Sequence, residues 1–245
     1  VEELPEVDIV AISHNHYDHL DIETIRHVWE AGKGRVHFVC GLNIKSWFLG
    51  LGMRDDEVTE LDWWNGLGIE VQDVGSVRMV CTPSQHFSGR TAWDMGQALW
   101  CSYVVEELLV EAPKKMYFAG DTGYRTVTEH DDLDNLEKLP RCPAFAEIGN
   151  EYGPFDLALL PIGCYSPRTF MSNVHCAPED SVDIHKDIKS KKSIGMHYGT
   201  IRGGLSAHYE DVREPPQRWK ENAEKAGLAW TEDIGLCDLG ETVVI

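Results

Sequence analysis

The sequence predicts one α/β domain. Short β-branched runs alternate with amphipathic stretches along the chain, no segment repeats, and no Pro-, Gly- or Ser-rich linker divides it. With 42% hydrophobic and 26% charged residues, its 245 residues have the composition of a globular protein with a sizeable core.

Residues 7–13, VDIVAIS, are almost continuously apolar, which suits a strand covered on both faces. The polar loop HNHYDH follows, and Asp21 is set to cap a helix running to about Ala31. Ile22, Ile25, Val28 and Trp29 give that helix one apolar face, and Gly32 stops it. Strand RVHFVCG comes next, then a short apolar helix from about Ile44 to Leu51. Residues 69–83 alternate as a hairpin, IEVQDV into SVRMVCTP. ALWCSYVVEEL and KKMYFAG follow as strands, PAFAEIGNEYG as a helix and FDLALLPIG as a buried strand. Pro178 opens the helix PEDSVDIHKDIK, which leads to strand KSIGMHYG; helix QRWKENAEKAG and a closing strand ETVVI end the chain. Arg125 to Arg141 is acidic and lacks periodicity, so it is expected as a solvated surface insertion.

Charge narrows the choice of partners. Lys plus Arg number 22 against 41 Asp plus Glu, a formal charge of −19. Nucleic-acid affinity comes from cations that neutralise phosphates, so this balance argues against a nucleic-acid partner. It gives no electrostatic pull toward an anionic membrane either. No apolar run reaches the roughly 18–20 residues that span a bilayer. Seven cysteines without a C-x-x-C pair, and no N-x-[ST] sequon, predict buried free thiols of an intracellular protein.

The chemistry is concentrated in six positions. His14, His16, Asp18 and His19 crowd one loop after a strand. On an extended segment residues 14 and 16 point the same way, so both imidazoles can meet one ion. As the chain turns, Asp18 and His19 can reach a second position beside the first. Three further candidates stand at strand ends: His86 in TPSQHFSGR, Asp121 in FAGDTGY and His197 in IGMHYGT. Open α/β sheets keep their chemistry at the carboxyl ends of strands, so these residues share one expected place. Seven such ligands suffice for two divalent ions with a bridging carboxylate and a position open to water.

The pattern H-x-H-x-D-H, a later His, a strand-end Asp and a final His resembles the metallo-β-lactamase superfamily. The strings ISHNHYDHLD, ELDWW, TPSQH, FAGDTGY, CPAF-EIG, FDLALLPIG and HYGT are similar to its N-acylphosphatidylethanolamine-hydrolysing phospholipase D family, from about Leu4 to past Pro216. The resemblance implies an αβ/βα sandwich and two zinc ions. It gives His14, His16 and His86 to one ion, Asp18, His19 and His197 to the other, and Asp121 to both. His175, in VHCAPED, matches a family histidine near the scissile phosphate, as a phosphate-orienting or proton-donating group. Asp18, Asp121 and His175 are thus the expected catalytic residues. The implied reaction is attack by metal-activated water on phosphorus, giving an N-acylethanolamine and phosphatidic acid.

The resemblance further implies a phospholipid substrate, peripheral contact with membranes inside the cell, including the mitochondrion, and a homodimer. The family places a long segment, including strands of the first sheet, before the H-x-H-x-D-H loop. Only thirteen residues precede it here, so the sequence is expected to be an N-terminally truncated domain over 1–245. The stretch SWFLGLGM (Trp47, Phe48, Leu49, Leu51, Met53) reads either as an interfacial helix or as core. Trp63 and Trp64 read as core. Two other functions stay open: a lactonase of the same fold acting on a sugar phosphate, and a metal-binding fragment without activity.

Overall fold

The computed structural model describes residues 3–32, 34–199 and 206–245. Thr200 of the HYGT string lies outside them. Two sheets face each other. The smaller is parallel, with spatial order β1 (Ile9–Ile12), β2 (His37–Gly41), β3 (Val58–Leu61), and its connections carry α1 (Ile22–Gly32) and α2 (Lys45–Gly50). The larger opens with an antiparallel meander of β4 (Gly66–Val71), β5 (Gly75–Thr82), β6 (Ser102–Leu108) and β7 (Lys115–Phe118). It continues in parallel through β8 (Leu157–Pro161), β9 (Ser193–Met196) and β10 (Ile234–Gly235). Among the described residues, the α-helices of this half are α3 (Ala144–Glu151), α4 (Arg168–Met171), α5 (Pro178–Asp187), α6 (Ser206–Tyr209) and α7 (Glu214–Lys225).

The period-two alternation of the strands sorts their side chains into three apolar layers. Val39, Met79, Cys81 and Tyr103 fill the space between the sheets. Their neighbours Phe38, Cys40, Val80 and Val104 point outward. Phe38 and Cys40 meet Ile25, Val28 and Phe48 of the first two helices. Val80 and Val104 join Phe145, Ile148, Val182, Ile184 and Trp219 of α3, α5 and α7. Helix, sheet, sheet, helix is therefore the layer order, the expected αβ/βα sandwich. Asp21 caps α1 as the sequence predicts: its Oδ2 accepts from the Thr24 backbone N–H at 2.8 Å and from the Thr24 hydroxyl at 2.7 Å.

The structure departs from the sequence reading at some points and decides it at others. The run ETVVI is not a strand; it is coil with Val244 83% exposed, and the closing strand is β10 instead. Strand β3 had no sequence prediction and arises because VTEL finds a parallel partner in β2. SWFLGLGM packs inward through Phe48 and Met53, leaving only Leu49 exposed among its large apolar side chains. Trp63 packs between the sheets, but Trp64 is exposed, at φ +69°. In the 125–141 stretch, Arg125 and Val127 are buried, and the Arg125 guanidinium pairs with Asp180 and Asp183 of α5; most of the rest is exposed. At the end of the sandwich where β1 begins, a cleft of about 730 Å³ separates β1 and β2 from the β4–β5 hairpin.

Candidate metal centre

Every predicted ligand lies at the same edge of the sandwich, each delivered by a loop that leaves the carboxyl end of a strand. The loop after β1 carries His14, His16, Asp18 and His19; His86 follows β5, Asp121 follows β7 and His197 follows β9. Both sheets therefore contribute. Gly120, at φ +61°, lets the chain leave β7 hard against the first sheet: a Cβ there would stand 2.7 Å from Ser13 Cβ. His197 also takes a left-handed conformation, at φ +57°, which a non-glycine residue adopts at a cost of about 1–3 kcal/mol.

Three ring nitrogens converge in the first half of the site. His14 Nε2 lies 2.9 Å from His16 Nδ1, which lies 3.4 Å from His86 Nε2. Ligand atoms on a tetrahedral ion with bonds of about 2.0–2.1 Å are about 3.3 Å apart, so the spacing fits one ion. The other ring nitrogens of His14 and His86 are spoken for. His14 Nδ1 shares a hydrogen bond with the Ser13 hydroxyl at 3.0 Å. His86 Nδ1 stands 2.8 Å from the Val174 carbonyl, which can only accept; the proton is therefore on Nδ1 and the Nε2 lone pair is free. Burial lowers the pKa of His14 and His16 and takes His86 to about 4, so all three imidazoles are neutral and able to donate at pH 7.

The second half gathers Asp18, His19 and His197. His19 Nε2 stands 3.1 Å from Asp18 Oδ2 and 3.2 Å from Asp121 Oδ2; His197 Nε2 is 3.2 Å from Asp121 Oδ1. Asp121 also reaches back to the first half, with Oδ2 at 3.9 Å from His14 Nε2 and 3.8 Å from His86 Nε2. Burial alone would raise the Asp121 carboxyl, but His197 and His19 outweigh it and hold it well below the usual range. Burial likewise opposes the charge on His19, yet Asp121 and Asp18 raise its pKa to about 10.

This half is not a self-satisfied ion-pair network. His19 Nε2, Asp121 Oδ1 and both ring nitrogens of His197 are buried without a hydrogen-bond partner, although carboxylate and imidazole atoms lie close together. Each such atom costs about 1–3 kcal/mol if nothing else satisfies it. Nitrogen and carboxylate donors that converge without hydrogen-bonding one another fit a divalent metal, and their division around Asp121 fits two.

His175 joins the same cluster. Its ring lies 5.1 Å from that of His86 and stacks on that of His197 at 5.6 Å, and its buried Nδ1 has no hydrogen-bond partner. Burial, only partly offset by Asp121, takes its pKa to about 3, so it is a neutral imidazole. Ser13 and the Val174 carbonyl, which orient His14 and His86, carry no recognisable sequence signal. Neither does Arg90, whose guanidinium contacts the loop after β1.

Residues 1–198 match the Beta-lactamase superfamily domain. Over 217 residues the chain is 32% identical to N-acyl-phosphatidylethanolamine-hydrolyzing phospholipase D 1 of Caenorhabditis elegans, covering 87% of this chain and 55% of that protein. It is also 32% identical over 244 residues to the mitochondrial N-acyl-phosphatidylethanolamine-hydrolyzing phospholipase D of Saccharomyces cerevisiae, covering 99% of this chain and 46% of that one. The chain thus spans about half the length of these relatives. Among solved structures, Igni18, a metallo hydrolase from Ignicoccus hospitalis, superposes with a TM-score of 0.61 at 22% identity, covering 97% of this chain and 79% of that one. CmlA, a diiron β-hydroxylase from Streptomyces venezuelae, gives 0.61 at 17% identity, covering 97% and 45%. With the sandwich, the strand-end ligands and the matched domain in agreement, the chain belongs to the β-lactamase superfamily and has its metallo-β-lactamase fold.

Proposed function

We propose that this chain is the hydrolytic part of a zinc-dependent phospholipase D that converts N-acylphosphatidylethanolamine to N-acylethanolamine and phosphatidic acid. The observation that carries this is the convergence of six further nitrogen and carboxylate ligands around Asp121 in a chain 32% identical to two phospholipases of that name. When bound, two zinc ions would supply Lewis acidity and a nucleophile from water at neutral pH.

The protein's own part is to hold charges and protons in place. Asp18 and Asp121 stay ionised, and His14, His16 and His86 stay neutral, so these five donors are ready at pH 7, while His19, raised to about 10 by the two carboxylates, gives up a proton when an ion binds. We cast His175 as the group that orients the phosphoryl oxygens or gives a proton to the departing alkoxide. Its support is a neutral ring packed against two ligand histidines, with one buried nitrogen uncommitted.

A phospholipid substrate implies contact with a membrane surface. Tyr17, Trp93, Met95 and Phe170 are between 63% and 88% exposed. Tyr17 lies within the first ligand loop, Trp93 and Met95 follow His86, and Phe170 precedes His175. With a charge of −19, docking would rest on apolar side chains rather than on attraction to anionic lipid. The name of the yeast relative makes a mitochondrial membrane part of the proposal.

The test is a product assay. Zinc-loaded protein is mixed with N-acylphosphatidylethanolamine in detergent micelles, with and without chelator, and the products are read by mass spectrometry. Chelator-sensitive release of N-acylethanolamine is the expected result. Replacing His175 with Ala should leave the zinc content at the wild-type value and lower turnover by about 100-fold or more, the scale of a lost acid–base group. Hydrolysis of a sugar-phosphate lactone with none of the lipid would replace this function by the soluble lactonase.

A further inference from the structure

The loop after β1 supplies four of the seven ligands, and a polar loop of that kind needs something to hold its shape. Its internal bonds are few: the His19 and Leu20 backbone N–H groups both donate to the His16 carbonyl, at 3.1 and 2.9 Å. From outside, the Cys101 backbone N–H donates to the Ser13 carbonyl at 2.9 Å, and further support comes from the segment that follows His86. There the half-buried Arg90 donates through Nε to the Asn15 carbonyl at 2.7 Å and through Nη2 to the Leu20 carbonyl. These two carbonyls flank His16, Asp18 and His19. The neighbouring Gly89 backbone N–H donates to Asn15 Oδ1 at 2.7 Å.

The guanidinium is itself fixed. Its carbon lies 4.6 Å from the centre of the Tyr17 ring and 5.1 Å from that of Trp47, within cation–π range of both. At the other end of the residue, the Arg90 backbone N–H donates to the Asp94 carboxylate at 3.0 and 3.1 Å, and Asp94 also accepts from the Thr91 N–H and hydroxyl. A planar fork with two donors at a set separation can bridge two carbonyls, which a lysine ammonium cannot do with the same geometry.

We propose that Arg90 is a positioning residue of the metal centre: by bridging the Asn15 and Leu20 carbonyls it locks the β1 loop to the His86 segment, so that His16, Asp18 and His19 are presented together with His86. The inference rests on the metal centre described above and on no particular substrate. It couples two ligand-bearing segments from different sheets through a side chain that need not touch the ions. Loss of such outer support lowers metal affinity without removing a ligand.

The experiment uses the full chain, stripped of metal, with Arg90→Lys and Arg90→Ala beside the wild type. Zinc affinity is measured by competition with a chromophoric chelator. The visible spectrum of the cobalt-substituted protein reports ligand geometry, and the melting temperature of each metal-free protein reports the fold. Both variants should bind zinc roughly 10–100-fold more weakly than wild type at a temperature where all three are folded, with an altered cobalt spectrum. Arg90→Lys keeps charge and bulk, so it carries the test if Arg90→Ala fails to fold. Wild-type zinc affinity and cobalt spectrum in Arg90→Lys would overturn the clamp. A lowered melting temperature with unchanged affinity would overturn it too, by making Arg90 a support of the fold alone. Failure of the wild-type chain to bind two ions is a different result, since it removes the metal centre itself.

Discussion

Asp121 is the residue on which the two halves of the centre meet. One of its oxygens faces His14, His19 and His86 and the other faces His197, all within 3.9 Å. Among the described residues, no other carboxylate comes within 4 Å of ligand nitrogens in both groups. Replacing Asp121 with Ala should therefore cost both ions and not one, so that metal analysis after dialysis finds less than half of the wild-type zinc. Retention of two equivalents would mean that the halves bind independently. At this scale the sequence was informative where chemistry is local. His14, His16, Asp18 and His19 are close in the chain, so their convergence needs only an extended segment and a turn. His86, Asp121 and His197 could be found because each ends a strand-like run. Arg90, Ser13 and the Val174 carbonyl could not, because orienting another group leaves no pattern in the chain.

Among the elements, α1 shows local rules acting without interference. Asp21 caps it, its apolar face meets the small sheet, and no tertiary contact overrides the pattern. Asp21→Ala should destabilise the protein by about 1 kcal/mol, the usual cost of a lost cap, measured by urea unfolding of the metal-loaded chain. A change below a few tenths of a kcal/mol would show that packing, not the cap, sets the helix start. The strands show the reverse case. VTEL and ETVVI are both short and mix apolar with polar residues. VTEL becomes β3 because β2 offers it four paired residues; ETVVI remains coil and largely exposed. Strand propensity states only that a segment fits a pleated surface, and partners decide the rest. The same limit applies to Trp64, where adjacency to the packed Trp63 says nothing of which way the chain turns.

For the molecule as a whole, stability depends on protons as well as on packing. His185 of α5 is buried, with Nδ1 at 2.8 Å from the Ser193 hydroxyl of β9, and burial lowers its pKa from 6.5 to about 4. Its folded pKa lies below its unfolded one, so the folded state binds fewer protons. The contribution is full above pH 6.5 and is lost as pH falls toward 4. By this linkage, moving from pH 7 to pH 5 should cost about 2 kcal/mol from this group alone. In thermal or urea unfolding of metal-free protein, His185→Asn should show a shallower loss of stability over that interval than the wild type. Equal slopes would assign the acid sensitivity to other groups.

The division of ligands between the sheets has a mechanical consequence. His14, His16, Asp18 and His19 hang from the three-stranded sheet, while His86, Asp121 and His197 hang from the seven-stranded one. Metal bound there would therefore rivet the two leaves of the sandwich along one margin, and the cleft by the start of β1 lies away from that margin. Rivet and leaves answer to each other. Loading the ions stiffens the seam, and prising the leaves apart, even far from the rivet, loosens the grip on the ions by the same free energy.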